Sequence, residues 1–127
     1  MTDTIALGGG TTVRVVAARD EATLLELALE PGAGAGPHTH TREDETIAVL
    51  DGRLLVDDGE RHELGPGDAI VLPRDVRHAF ANEGDETVRA HVFCSPGGLE
   101  RFFREVTAAQ SDADVAEAAE RAGLVFG

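Results

Sequence analysis

The chain has 127 residues, 42% of them hydrophobic, which suffices for one core and argues against two domains. Eleven basic residues against 24 acidic ones leave a formal charge of −13, a balance that repels nucleic-acid phosphates and anionic membrane surfaces and argues against either as a partner. Aromatics are scarce, with five Phe and neither Trp nor Tyr, so Val, Leu, Ala and Ile must fill the interior.

The first residues, through Leu7, carry neither a basic stretch nor a long apolar run, so no secretory leader is expected. No segment approaches the roughly 18 apolar residues of a membrane span, and the expected location is cytoplasmic. Short runs that are β-branched or Leu-rich follow at residues 12–18, 23–30, 45–50, 53–56, 69–72, 77–81 and 87–94. Turn chemistry separates them, at Pro31-Gly32, Asp51-Gly52, Asp58-Gly59, Gly65-Pro66-Gly67 and Glu83-Gly84. Asp51-Gly52 and Asp58-Gly59 read as hairpin turns, which require positive φ. Many short strands at this spacing predict a sandwich, jelly roll or barrel.

The last quarter changes character. Leu99, Phe102, Phe103 and Val106 recur at helical spacing. A second helix is expected after Ser111 or Asp112 as N-cap, with Val115, Ala118, Ala119 and Ala122 on its apolar side and a stop near Gly123. The expected organisation is a β-domain over residues 1–98 and a helical extension over residues 99–127, packed on the barrel. Cys94 is the sole cysteine, so an intrachain disulfide or a Cys-rich zinc site is excluded.

Four side chains stand out for chemistry. His38 and His40 are two apart, which on a strand turns both imidazoles to one face. Glu45 shares parity with Ile47 and Val49, and His78 shares parity with Phe80. Three imidazoles and a carboxylate can thus converge inside a small barrel. That set suits a divalent transition metal, with Fe or Mn favoured by the carboxylate and Ni, Cu, Zn or Co also accepted by imidazole. The lack of thiolates argues against a closed structural zinc site.

The spacing extends beyond the four residues. Gly32, five residues, His38-x-His40, four residues, Glu45, six residues and Gly52 match the first motif of the cupin superfamily. Gly67, five residues and Pro73, then His78, three residues and Asn82, match most of the second. The chain therefore resembles a small single-domain cupin, a monocupin, over residues 32–82, with the flanking strands extending the likeness. It departs from the pattern at Asp75, where the family usually has Gly in a turn of positive φ; Asp is among the few other residues that tolerate that conformation. The resemblance implies an all-β double-stranded β-helix, a jelly roll whose inner face holds a metal through His38, His40, Glu45 and His78. It also implies a homodimer and a small-molecule substrate.

Other residues receive plainer readings. Glu43 competes with Glu45, with the same parity, but motif spacing selects Glu45 and leaves Glu43 as a solvated rim charge or a general base beside the metal. Asp44 reads as a solvated charge and His62 as exposed. His91 reads as a satisfied structural histidine, core-facing or beside the ligands, and Cys94 as a small packing residue. Phe102 and Phe103 are expected to pack a helix rather than line a substrate pocket, although one helix could cap the barrel mouth.

For activity, the leading expectation is an oxidoreductase resembling quercetinase-like dioxygenases, acting on an enolic or hydroxylated substrate. Glu45 would be both ligand and catalytic group. The alternatives are a metal-dependent isomerase, cyclase or decarboxylase without dioxygen, and a non-catalytic small-molecule binder. A cupin likeness by itself decides the metal better than the reaction.

Overall fold

Strict alternation decides which side of each strand turns inward. In β3 (Thr23–Leu29) the buried positions are Thr23, Leu25, Leu27 and Leu29, and in β5 (Asp44–Asp51) they are Glu45, Ile47 and Val49. In β10 (Val88–Ser95) they are Val88, Ala90, Val92 and Cys94. β10 lies between the other two, antiparallel to both, so Cys94 stands opposite Thr23 on one side and Glu45 on the other. β1 (Thr4–Gly8), β2 (Thr11–Ala18) and β8 (Ala69–Leu72) complete a six-stranded sheet in the order β1-β2-β3-β10-β5-β8. The computed structural model describes residues 4–127. The first three residues, part of the stretch read for a leader, lie outside them.

A second antiparallel sheet faces the first. It takes β4 (Gly34–His40), β6 (Leu54–Asp57), β7 (Arg61–Leu64), β9 (His78–Ala81) and β11 (Leu124–Phe126) in the order β11-β4-β9-β6-β7. The side chains between the sheets, from Val13, Leu25 and Leu29 to Ile47, Leu54, Val56 and Leu72, form one core. The result is a mostly β jelly roll followed by two helices, as the sequence predicts.

The two Asp-Gly signals behave differently. Asp58-Gly59 closes a hairpin, with Asp57 paired to Arg61. Asp51-Gly52 does not, because β5 and β6 belong to different sheets. Gly52 is still needed there: its φ is 81°, and a Cβ would sit 2.8 Å from the Thr87 carbonyl oxygen. Positive φ marks the turn in both cases, whereas strand partners are chosen by non-local packing. Asp75 adopts φ 69°, the left-handed conformation expected of a residue in place of glycine, and its amide donates to the His40 carbonyl.

α1 (Leu99–Ala108) starts at Gly98, and the buried Glu100 carboxylate accepts from the Gly98 amide at 3.2 Å and from the Thr23 hydroxyl at 2.8 Å. That ties the helix to β3. α2 (Asp112–Ala122) is capped by Ser111, whose hydroxyl accepts from the Asp114 amide, and ends at Gly123 with φ 72°. The extension is not wholly helical. After Gly123 the chain adds β11 to the edge of β4, placing Leu124 opposite His40 and Phe126 opposite His38.

Candidate metal centre

Both sheets contribute to one site. His38 and His40 point inward from β4, and His78, on β9, is the direct cross-strand partner of His38. One ring nitrogen from each of the three lies within 4.8 Å of the others. From the opposite sheet, Glu45 brings Oε2 to 3.4 Å from His40 Nε2 and Oε1 to 3.5 Å from His78 Nε2. All four side chains are buried. Parity on three separate strands thus meets at one point, as the spacing predicts.

The outer ring nitrogens are already engaged. His38 Nδ1 donates to the Gly36 carbonyl at 2.8 Å, and His40 Nδ1 donates to Glu43 Oε1 at 3.0 Å. Each bond selects the tautomer that leaves Nε2 as a lone pair facing the centre. At the centre itself, Glu45 Oε1 and His78 Nε2 have no hydrogen-bond partner, and neither has His78 Nδ1. Buried polar atoms without partners are costly, and a cation among three imidazoles and a carboxylate would satisfy the two at the centre. The donor set therefore fits the metal that the motif implies.

Electrostatics points the same way. Burial, with His78 and His40 nearby, holds His38 below the ordinary histidine pKa, so it presents a neutral ring. Burial also disfavours the charged form of His40, but the Glu43 hydrogen bond and the charges of Glu45 and Glu43 outweigh it and raise that pKa. Glu45 is lowered: burial opposes its ionisation, but His78, His40 and His38 prevail. An ionised carboxylate beside the neutral His38 ring is a state that binds cations, and the proton favoured on His40 is one that a bound cation would displace.

Several plainer readings need correction. Glu43 is neither a rim charge nor a base facing a substrate. It is 2% exposed and sits behind His40, because strand parity persists into the residue preceding β5. That same parity was the signal that could have placed it. His91 is not core-facing; it shares the outward face of β10 with Arg89 and Phe93 and approaches Glu26 at 4.0 Å. His62 is half-buried against Asp58 at 2.9 Å, and Asp44 is held by Arg74 at 3.2 Å rather than solvated alone. Cys94 is fully buried, as a packing residue should be, and its thiol also approaches Glu45 Oε2 at 3.9 Å.

A cavity of about 370 Å³ opens onto the site. His38, His40 and Glu45 form its polar end, and Leu25, Leu27, Val92 and Phe80 continue the wall. Phe102 and Phe103 of α1 line it as well as packing the helix, which corrects the expectation that they would only pack. Phe126 of β11 also lines it, a residue for which the sequence offered only a three-residue run after Gly123.

Comparison with known proteins gives the fold and site a context. A family model for the cupin domain matches residues 25–94. The polyketide synthase CurC of Streptomyces cyaneus is 39% identical over 69 residues, 54% of this chain and 45% of CurC. The chain spans about half the length of the curated relatives it matches. Among solved structures, KdgF from a Halomonas species is 27% identical, with a TM-score of 0.70 over 78% of this chain and 90% of KdgF. The polyketide cyclase RemF of Streptomyces resistomycificus is 31% identical, with a TM-score of 0.62 over 68% of this chain and 66% of RemF.

Proposed function

The chain belongs to the cupin family, and on that premise we propose that it is a metal-dependent enzyme that enolises a small apolar carbonyl compound and promotes its cyclisation or isomerisation. The observation that carries this reading is the composition of the cavity. Among the described residues, its only lining side chains able to exchange a proton are those of His38, His40 and Glu45, and the rest of the lining is apolar. The chain contains no lysine, so carbonyl chemistry through a lysine imine is excluded. Similarity to CurC and RemF, polyketide proteins by name, supports a substrate with repeated carbonyls.

His38, His40, His78 and Glu45 would hold the cation, for which Fe or Mn is favoured and Ni, Cu, Zn or Co are acceptable. Such an ion, when bound, polarises a carbonyl oxygen as a Lewis acid. Glu45 faces the cavity and is the catalytic group. Its carboxylate takes the proton α to the carbonyl, and the C–H electron pair moves into the enolate. The enolate carbon then attacks a second carbonyl of the same molecule, and the proton returns from Glu45 to the new alkoxide. A carboxylate held below its ordinary pKa is a weak base, so it depends on prior polarisation of that carbonyl. The apolar walls exclude water that would compete for the enolate.

A second reading keeps the same residues and adds dioxygen as co-substrate, since an apolar cavity beside this donor set also suits an enol dioxygenase. Exchange of the α-protons of 2-tetralone in deuterated buffer without oxygen separates the two. The cyclase or isomerase reading expects metal-dependent exchange above the buffer rate, lost in Glu45→Gln and His40→Ala. Exchange at the buffer rate would overturn it. Oxygen uptake that disappears in His40→Ala would then favour the dioxygenase. Ligand binding with neither signal would indicate a binding protein.

A further inference from the structure

Aromatic side chains are scarce in this chain, yet four of its five phenylalanines, Phe80, Phe102, Phe103 and Phe126, line one cavity. Three of these four come from residues 99–127, outside the stretch that matches the cupin model. Phe102 is the hinge of the group: its ring lies 5.8 Å from Phe103 and 6.3 Å from Phe126. Phe80, on β9, stands 6.2 Å from the His38 ring. We infer that residues 99–127 form an aromatic roof over the metal centre that selects a flat, uncharged aromatic ketone or enol. This rests on the functional reading above and names the substrate class for the same site.

Two anchorages hold the roof in place. The start of α1 is tied to β3 through Glu100 and Thr23, which fixes Phe102 and Phe103 relative to the barrel. β11 is tied to β4 by its ladder, by the Thr41 hydroxyl and amide donating to the Gly123 carbonyl, and by the Gly127 amide donating to Pro37. Arg77 Nε donates to the Gly127 carbonyl at 2.9 Å. Phe126 is therefore in register with His38, so the outer wall of the cavity and its polar end are built on paired strands.

The chemistry of the occupant follows from the lining. Ring faces at these separations accept a planar π-system in offset or edge contact. No arginine lines the cavity among the described residues, its one acidic side chain is Glu45, and its histidines sit at that same end. A phosphate, carboxylate or other anion on the body of the ligand would enter an apolar wall without a counter-charge, inside a chain of net charge −13. Oxygen atoms are accommodated at one end only, beside His38, His40 and Glu45. The fitting molecule is flat and neutral, with a keto-enol edge.

The test uses full-length protein reconstituted with Zn(II) and two probes, a neutral dihydroxyanthraquinone and its carboxylate derivative. The chain lacks Trp and Tyr, so probe absorbance and fluorescence are read without protein background. Phe126→Ala and Phe103→Ala should each weaken binding of the neutral probe by roughly three- to tenfold. Phe93→Ala, at an exposed outer-face phenylalanine, should leave it within about twofold. The wild type should bind the carboxylate derivative at least about tenfold more weakly. Phe126 is 59% exposed, so its variant retains the fold. The inference is overturned by wild-type protein that fails to bind the neutral probe, by equal binding of the two probes, or by roof variants that match Phe93→Ala. Selective binding without tetralone exchange would remove the enzymatic reading and keep the roof, and exchange without selectivity would do the reverse.

Discussion

His40 shows how a single neighbour fixes the chemistry of a candidate ligand. Its Nδ1 donates to Glu43 at 3.0 Å, and both side chains are buried, so the ring can neither rotate nor switch tautomer without leaving a buried group unpaired. Glu43→Leu removes that acceptor at similar volume and should weaken metal affinity by about 10–100-fold. Glu43→Gln keeps an acceptor oxygen while losing the charge, and should recover most of the loss. Competition against a fluorescent chelator reads both. Equal loss in the two variants would point to the charge, and no loss in either would remove Glu43 from the metal site altogether. The motif made the four inner residues legible, because period-two parity and loop spacing are local properties. Glu43 was legible by the same parity, yet its role depends on where the His40 ring turns, which only the assembled strands determine.

At the scale of elements, turns were easier to read than partners. The strand over Ala69–Leu72 lies where its apolar run predicts, and the helix bounded by Ser111 and Gly123 has the caps the sequence names. β4 and β11 were harder: Gly34–His40 contains two glycines and a proline in place of apolar alternation, and Leu124–Phe126 is too short to carry a pattern. β11 depends on the reversal at Gly123. A Cβ there would stand 2.6 Å from Thr41 Oγ1 at a φ of 72°, so Gly123→Ala should cost about 1–2 kcal/mol and lower Tm by several degrees. An unchanged Tm would mean that the turn tolerates a side chain and that β11 is not held by it. The outer sheet face carries a different device. Glu26 on β3 pairs with Arg89 of β10 at 2.6 Å and Arg14 of β2 at 3.2 Å, and the Arg89 hydrogen bond, with help from Arg14, lowers its pKa below 4.5. The folded form thus holds the proton less tightly than the unfolded chain. The pairing stabilises the fold above about pH 4.5 and is lost as pH falls through the lowered value. Tm measured against pH should therefore fall more steeply on the acid side for wild type than for Glu26→Gln. Parallel acid limbs would exclude a contribution from this pair, which is modest because both arginines are substantially exposed.

For the molecule as a whole, the two sheets meet at the candidate metal centre with unsatisfied atoms from both, Glu45 Oε1 from one and His78 Nε2 from the other. Holding them together without a cation leaves a buried carboxylate facing imidazole lone pairs, a cost the unfolded chain does not bear. A divalent ion that binds the folded form and not the unfolded one adds RT ln(1 + [M]/Kd), about 2.7 kcal/mol at a hundredfold excess over Kd. In a chain of 127 residues that corresponds to a rise in Tm of several degrees or more. The rise should saturate with added Mn(II) or Zn(II), reverse with chelator, and disappear in His38→Ala and His78→Ala, which remove donors from paired strands. It should survive in Phe126→Ala, because the roof touches the ligand space and not the donor set. A metal-induced rise that persists in both histidine variants would place the ion elsewhere, on the acidic surface, and would detach the cavity from metal chemistry. A rise lost in the histidine variants and kept in the roof variant would assign the inner ring of residues to the ion and the outer ring to the substrate.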